Sequence, residues 1–343
     1  MDKKGRSVNG SKKTIGSSDV ARLAGVSRSA VSRAFTPGAY ISPETRQRVV
    51  EAAEMLNYSP NAIARSLSKK SSGLVGIIAS NLDNPYYALM LSALSSALQA
   101  KGYGILLLIA ELDDMDALIP KLLSYQVDGV ILPAATLSSK MAVVLERSGR
   151  PVVLVNRYLQ QDVVSSVSGD NYGGGTAVAD LLVKGGHRRI AYMAGLDDTS
   201  SSRDRGQGLK DRLATHGIAI YAQEAGQYRH VDAVAAARRL LSMTPAPDAI
   251  FCANDIMAMA ALEVAKVEYG LKVPAELAIV GYDNSDPASW PLHQLTSVDQ
   301  HLEDMVKLSV EMLLRKLVSG DTTLEHLTVP ASLVVRASTR QTG

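Results

Sequence analysis

Residues 19–35 read DVARLAGVSRSAVSRAF, and residues 42–56 read SPETRQRVVEAAEML. In the first stretch Val20, Leu23 and Ala24 recur at i, i+3 and i+4 behind Ser18. A serine there accepts hydrogen bonds from the free N–H groups of a first helical turn, so the pattern predicts a short helix capped by Ser18. Gly25 and Val26 turn the chain. Ser27 caps a second helix that carries Ala30, Val31 and Ala34 inward and Arg28, Ser29 and Arg33 outward. A third helix begins at Ser42-Pro43, serine as cap and proline where its missing N–H has no partner to lose, with Thr45, Val49, Ala52, Ala53 and Leu56 as its apolar stripe. Two short helices joined by a glycine-containing turn form a helix-turn-helix, and three helices over about forty residues can close one small core.

Charge separates this head from the rest. The chain has 343 residues and a net charge of +2, yet residues 1–72 hold 13 Lys and Arg against 5 Asp and Glu, while the remainder holds 23 against 29. A basic head on an acidic body directs a polyanion to the head alone. A recognition helix needs small residues to approach the major groove and long polar ones to reach base edges, and Arg28, Ser29 and Arg33 on one face meet that need. The other reading of either arginine is a phosphate contact or a solvated charge, which adds affinity without sequence preference. Residues 1–13, rich in Gly, Ser, Asn and Lys without apolar periodicity, read as a disordered basic tail.

The motifs DVARLAGVSRSAVSRAF and SPETRQRVVEAAEMLNYSPNAIARSL (42–67) are followed by NPYY (84–87), DGVIL (128–132), GGHRRIAYMAG (185–195), FCANDIMAMAAL (251–262), VGYDN (280–284) and LVVRAST (333–339). This ordered series resembles the lactose-repressor (LacI/GalR) family of bacterial transcription factors over about Ile15 to Thr339. The resemblance implies a helix-turn-helix domain over 14–59, a hinge over 60–72 and an effector-binding, dimerising core over 73–343. It implies DNA contacts from Ser27, Arg28, Ser29, Ser32 and Arg33, and from Asn61, Ala64, Arg65 and Leu67 in the hinge. There Leu67 matches the leucine that wedges into a central minor-groove step when paired hinge helices fold on DNA. Without the upstream motif, Leu67 reads as the apolar residue of a linker. Two features depart from the family: Ala30 stands where relatives often have threonine, and the loop 35–41 is longer than in many of them.

Beyond Gly73 the chain alternates apolar runs, GLVGIIAS (73–80), YGILLLIA (103–110) and DGVIL, with amphipathic helical stretches, and the rhythm restarts with RRIAYMAG (188–195), DAIFCA (248–253) and ELAIVGYD (276–283). Strands with few polar residues predict parallel sheets buried on both faces, in two doubly wound lobes. The family supplies the topology: a periplasmic-binding-protein-like core, lobe 1 about 73–172 and 300–335, lobe 2 about 173–299, with a C-terminal helix near 302–317 returning to lobe 1. In such sheets ligands sit beyond the carboxyl ends of the strands. That rule selects Asn84, Tyr87, Asn156, Arg157, Asp170, Arg205, Tyr228, Asn254 and Asp283, each also an effector position in the family. Carboxylate and amide acceptors beside arginine donors suit a polyhydroxylated ligand, and Tyr87 and Tyr228 offer faces to a sugar ring or a flat base. Local readings compete: Asn84 before Pro85 caps a helix, Asp283 before Asn284 turns the chain, and Arg205 pairs with Asp204 or Asp198 on the surface. Arg203 is a weaker candidate.

Other functions find little footing. The six histidines are scattered without metal-ligand spacing, so no metal or cofactor is expected. The run NYGGGT (171–176) lacks the lysine of a phosphate-binding loop and reads as a helix start or turn. No nucleophile elbow supports an enzyme. No apolar run of about 18 residues spans a membrane. Cys252 is the one cysteine and the N-terminus has no secretory apolar segment, which places the chain in the cytoplasm, on the nucleoid. The expectation is a homodimeric repressor that binds pseudo-palindromic operator DNA and is switched by a sugar-like effector. A non-catalytic binding protein of the periplasmic type, or a purine-sensing version of the switch, are the alternatives. Trp290 lines the cleft mouth or packs the lobe hinge.

Overall fold

The computed structural model describes residues 15–36, 38–59, 71–80, 82–110, 115–133, 139–160 and 163–340. The basic tail and the hinge candidates Asn61, Ala64, Arg65 and Leu67 lie outside them. Two compact units meet in sequence at Ser72 and Gly73.

The first unit is three helices, α1 (Ser17–Ala24), α2 (Arg28–Ala34) and α3 (Pro43–Met55). Its core is Val20, Ala21, Ala24, Val31, Ala34, Val49, Ala52 and Ala53, with Thr45 and Leu56 half-buried. Two expectations are corrected. The first helix is capped at Gly16 and not at Ser18, because the Asp19 carboxylate reaches back to the Gly16 N–H at 3.1 Å and fixes the start two residues earlier. Leu23 is 48% exposed, since the small side chains of α1 already fill the space against α2 and α3. The caps at Ser27 and Ser42 stand as read, each side chain accepting from the N–H three residues on.

The second unit holds two six-stranded sheets. The first, in order β11-β5-β4-β3-β1-β2, comprises β1 (Leu74–Ala79), β2 (Gly104–Ile109), β3 (Gly129–Pro133), β4 (Val152–Val155), β5 (Ser165–Gly169) and β11 (His326–Val329), all parallel. Alternate residues serve opposite faces, as the pleat demands. Val75, Ile77, Ile131, Val153 and Val155 pack under α4 (Pro85–Ala100) and α12 (Leu302–Ser319), while Ile78, Val130, Leu132 and Leu154 pack under α5 (Met115–Ser124) and α6 (Ser139–Arg147). The C-terminal helix thus returns to the first lobe.

The second sheet, β12-β10-β9-β8-β6-β7, comprises β6 (Ile190–Ala194), β7 (Ala222–Ala225), β8 (Ala249–Cys252), β9 (Ala278–Tyr282), β10 (Thr296–Asp299) and an antiparallel edge, β12 (Ser332–Val334). Around it lie α7 (Asn171–Lys184), α8 (Ser200–Thr215), α9 (His230–Leu241), α10 (Asp255–Glu263), which continues as a π-helical turn, and the short α11 (Asp286–Ser289). Two lobe boundaries shift accordingly. Residues 332–334, expected in lobe 1, pair with β10 of lobe 2, and α7 starts at Asn171, so lobe 2 begins there. The chain therefore crosses between lobes three times, at Asp170, at Gln300-His301 and at Pro330-Ala331.

The glycines of NYGGGT form the first turn of α7. A Cβ on Gly175 would lie 2.2 Å from the Arg205 carbonyl oxygen, and one on Gly208 2.1 Å from that of Tyr172. Bare α-carbons on both sides let α7 and α8 touch backbone to backbone. Among the described residues, no helix is long and apolar enough to cross a membrane.

Candidate functional site

On the head, Ser27, Arg28, Ser29, Ser32 and Arg33 are all exposed along α2, and its first turn holds no acidic residue. Ser27 and Ser29 hydroxyls share a 2.8 Å hydrogen bond, and Arg33 Nε donates to the Ser29 carbonyl at 3.4 Å. Arg46 of α3 donates to the carbonyls of Ala34 and Ala39, holding the loop after α2. Ala30 is buried, so the departure at this position lies on the core side of the helix.

In the second unit the carboxyl ends of both sheets converge between the lobes. From lobe 1 come Asn84 and Tyr87 after β1, and Asn156 and Arg157 after β4; all four are buried. Asn156 sits at φ 70°, a left-handed turn that swings its Nδ2 to within 3.5 Å of the Tyr87 hydroxyl. From lobe 2 come Arg205 on α8, Tyr228 after β7, Asn254 after β8 and Asp283 after β9. Asp170 stands at the first crossover, half-buried, its Oδ1 accepting the Gly173 N–H at 2.8 Å as the cap of α7.

Arg205 is the centre of this network and is 2% exposed. Its Nε donates to Asn171 Oδ1 at 2.7 Å, its Nη1 donates to the Ala253 carbonyl and lies 3.8 Å from Asp283 Oδ1, and its guanidinium lies 3.6 Å over the Tyr282 ring. Burial opposes its charge, but Tyr282, Tyr228 and Asp283 around it outweigh that and raise its pKa. Arg205 lies inside its helix and not at its start. Thr199 caps α8, and the arginine lies a turn further in, paired with Asp283 and not with Asp204 or Asp198.

Asp283, held at φ 114°, accepts from Gln300 Nε2 at 2.7 Å. Burial pushes its carboxyl up to about 8 against the opposing pull of Arg205. Behind it Asp255, raised by burial to about 6, accepts from Ser285 and Ser297. Asn84 and Asn254 cap α4 and α10 through their Oδ1 atoms, so here the local reading holds together with the cleft position. Tyr228, at φ 58°, brings the hydroxyl end of its ring against Gly195 and shares a 3.2 Å hydrogen bond with the Ser201 hydroxyl.

Among the described residues, seven buried side-chain atoms lack a hydrogen-bond partner, and six belong to this one region: Tyr86 Oη, Asn156 Oδ1, Arg157 Nε, Arg205 Nη2, Asn254 Nδ2 and Gln300 Oε1. Buried polar groups are normally paired, so a cluster of unpaired donors and acceptors between two lobes is a candidate ligand site. Tyr86, Asn171, Tyr282 and Gln300 were missed from sequence. The strand-end rule that found Asp283 after β9 applies equally to Gln300 after β10.

At the rim the lobes touch directly: the Tyr158 hydroxyl donates to Asp204 Oδ2 at 2.8 Å, and the Tyr158 N–H donates to the Ser200 hydroxyl at 3.1 Å. Arg203 belongs to this rim and lines a surface depression with Asp197, Gln207 and Lys210. Trp290 is 54% exposed and stacked on His293 at 6.2 Å, and so packs no hinge. His301 stands at the second crossover, bonded to Ser332 across 2.9 Å. Among the described residues no group of three metal-ligating side chains assembles.

Residues 18–61 match the model of bacterial regulatory proteins of the lacI family, and residues 179–339 match that of periplasmic binding protein-like domains. The chain is 33% identical over 329 residues to the transcriptional regulator CelR of Thermobifida fusca, covering 93% of this chain and 96% of that one. It is 32% identical to the sucrose operon repressor of Pediococcus pentosaceus, over 92% and 97% of the two chains. It is 28% identical to the repressor PurR of Photobacterium profundum, over 94% and 98%. Among solved structures, the lac repressor dimer bound to operator and an anti-inducer aligns with a TM-score of 0.86 at 29% identity, over 95% of this chain and 99% of that one. A CelR–cellobiose complex aligns at 0.72 and 32% identity, over 94% and 99%.

Proposed function

The chain belongs to the lacI family of bacterial regulatory proteins, and we propose that it is a homodimeric repressor whose hold on operator DNA is set by a small polyhydroxylated molecule bound between its two lobes. The observation that carries this reading is the cluster of six unpartnered polar atoms in the interlobe cleft, on a core that follows a basic helix-turn-helix head. Hydroxyl groups both donate and accept, and so satisfy a mixed set of arginine, amide and tyrosine atoms. Relatives named as sucrose operon and ribose operon repressors, and one solved with cellobiose, agree with a sugar.

Arg28, Ser29 and Arg33 read base edges in successive major grooves, and Ser27 and Ser32 contact phosphates. Asn61, Ala64, Arg65 and Leu67 form the hinge that enters the minor groove, a reading that rests on sequence alone. Effector contacts from both lobes fix the lobe angle at the three crossovers, and the chain leaves lobe 1 toward the hinge from β1. A change of angle therefore alters the separation of the two hinges in the dimer. Because coupling of binding free energies is reciprocal, DNA changes effector affinity by the same factor. The work is done on the chromosome, hence in the cytoplasm, and no catalytic step is assigned.

The test is selection of operators from random DNA by the full chain, followed by fluorescence anisotropy with and without a panel of sugars and purines. Specific binding at least about 10³-fold above random DNA to a pseudo-palindrome is expected, shifted by one panel member; the direction of the shift distinguishes induction from corepression. Equal affinity for selected and random DNA overturns the reading.

A further inference from the structure

Two guanidinium groups are buried in the cleft, and they are not equally provided for. Arg205 has Asp283 at 3.8 Å, Asn171, the Ala253 carbonyl and a tyrosine face. Arg157 is 6% exposed, its Nε has no partner, and no acidic side chain pairs with it among the described residues. Its contact across the cleft is the Tyr228 ring, 5.7 Å away. The acidic side chains nearby are engaged elsewhere: Asp283 with Arg205 and Gln300, Asp170 with the start of α7, Asp204 with Tyr158, and Asp255 with Ser285 and Ser297. A buried charge without a counter-charge is costly.

Resting on the effector-cleft reading above, we infer that the effector is an anionic polyol, a sugar bearing a carboxylate or a phosphate, and that Arg157 selects it. The planar fork of a guanidinium matches two oxygens of either group, and its strength grows as closure of the lobes removes water. The remaining unpartnered atoms, Tyr86 Oη, Asn156 Oδ1, Asn254 Nδ2 and Gln300 Oε1, then take hydroxyls. Tyr228 provides the ring face, and its cation–π contact with Arg157 preorients the fork.

The experiment is calorimetric titration of the full chain with matched series: glucose, glucuronate and glucose 6-phosphate, then galactose, galacturonate and galactose 6-phosphate. An anionic member is expected to bind roughly tenfold or more tighter than its neutral partner, and which member does so separates carboxylate from phosphate. Arg157→Gln should abolish that preference, and Arg157→Lys should retain part of it. In effector-free protein Arg157→Met should raise the melting temperature, because the variant removes a buried charge without a counter-ion and keeps the packing. A lower melting temperature for Arg157→Met marks the arginine as structural and overturns the inference. Neutral members that bind as tightly as anionic ones overturn it while leaving the effector cleft intact. A panel in which nothing binds removes both.

Discussion

Gly175→Ala probes how the site is held. The added methyl would sit 2.2 Å from the Arg205 carbonyl oxygen and 3.0 Å from the Leu209 nitrogen. Both obstacles are backbone of α8, so no rotamer change relieves them, and the two helices must part by about 1 Å to restore ordinary carbon–oxygen contact. Overpacking of this kind costs about 1–3 kcal/mol. For a unit the size of residues 73–343 that lowers the melting temperature by roughly 2–4 °C per kcal/mol, or about 2–12 °C in all. The displacement falls on the turn of α8 that bears Arg205, whose 2.7 Å bond to Asn171 on α7 must stretch. Losing a charged hydrogen bond is worth about 1.5–3 kcal/mol, so effector affinity should drop at least about tenfold as well. Thermal unfolding by circular dichroism, with Thr176→Ala as a neighbouring control on the same helix, reads the first effect. A midpoint within 1 °C of the parent would refute the backbone-contact reasoning.

Other consequences are equally open to measurement. With Asp283 raised to about 8, the folded chain keeps a proton between about pH 4 and 8 that the unfolded chain releases, so this group makes stability fall as pH rises, by up to about 1.4 kcal/mol per pH unit. Asp255, raised to about 6, acts in the same sense only at the acid end. Comparing urea midpoints of the parent and Asp283→Asn at pH 6, 7 and 8 isolates Asp283, and parallel pH profiles would contradict the assignment. Arg28→Ala should cost about 1–3 kcal/mol on the selected operator and little on random DNA, by anisotropy; equal losses on both would make Arg28 a phosphate contact. Tyr158→Phe removes the 2.8 Å bond to Asp204 across the rim, so the effector-free core should open and its small-angle scattering radius increase, an effect absent if the crossovers alone set the lobe angle.

Local chemistry was the most legible part of this sequence. Ser27 and Ser42 cap their helices because a cap is decided within four residues, and the nine residues chosen by the strand-end rule lie between the lobes because parallel sheets point their carboxyl ends one way, while Tyr86 and Gln300 beside them were not chosen. Ser18 failed because Asp19 competes for the same helix start from one residue away. Leu23 failed because the apolar stripe overestimates how many large side chains a three-helix core admits. The partnership of Arg205 with Asp283 and Asn171 was out of reach, since these residues lie 78 and 34 positions from it in the chain and only the α7–α8 contact and the sheet order bring them together. Tyr86 was passed over beside Tyr87, since one helix turn does not reveal which of two adjacent tyrosines will bury an unpaired hydroxyl.

The three crossings also bear on how the chain is made. Each sheet lacks one strand until the last turn of the chain is in place: β11 closes the first beside β5, and β12 closes the second beside β10, with Pro330 and Ala331 between them. Ser338, nearer still to the end, bonds the main chain of both β9 and β10. The head, by contrast, is finished within the first 59 residues. A chain cut short between these points would carry a complete head on a core that lacks the outermost strand of each sheet.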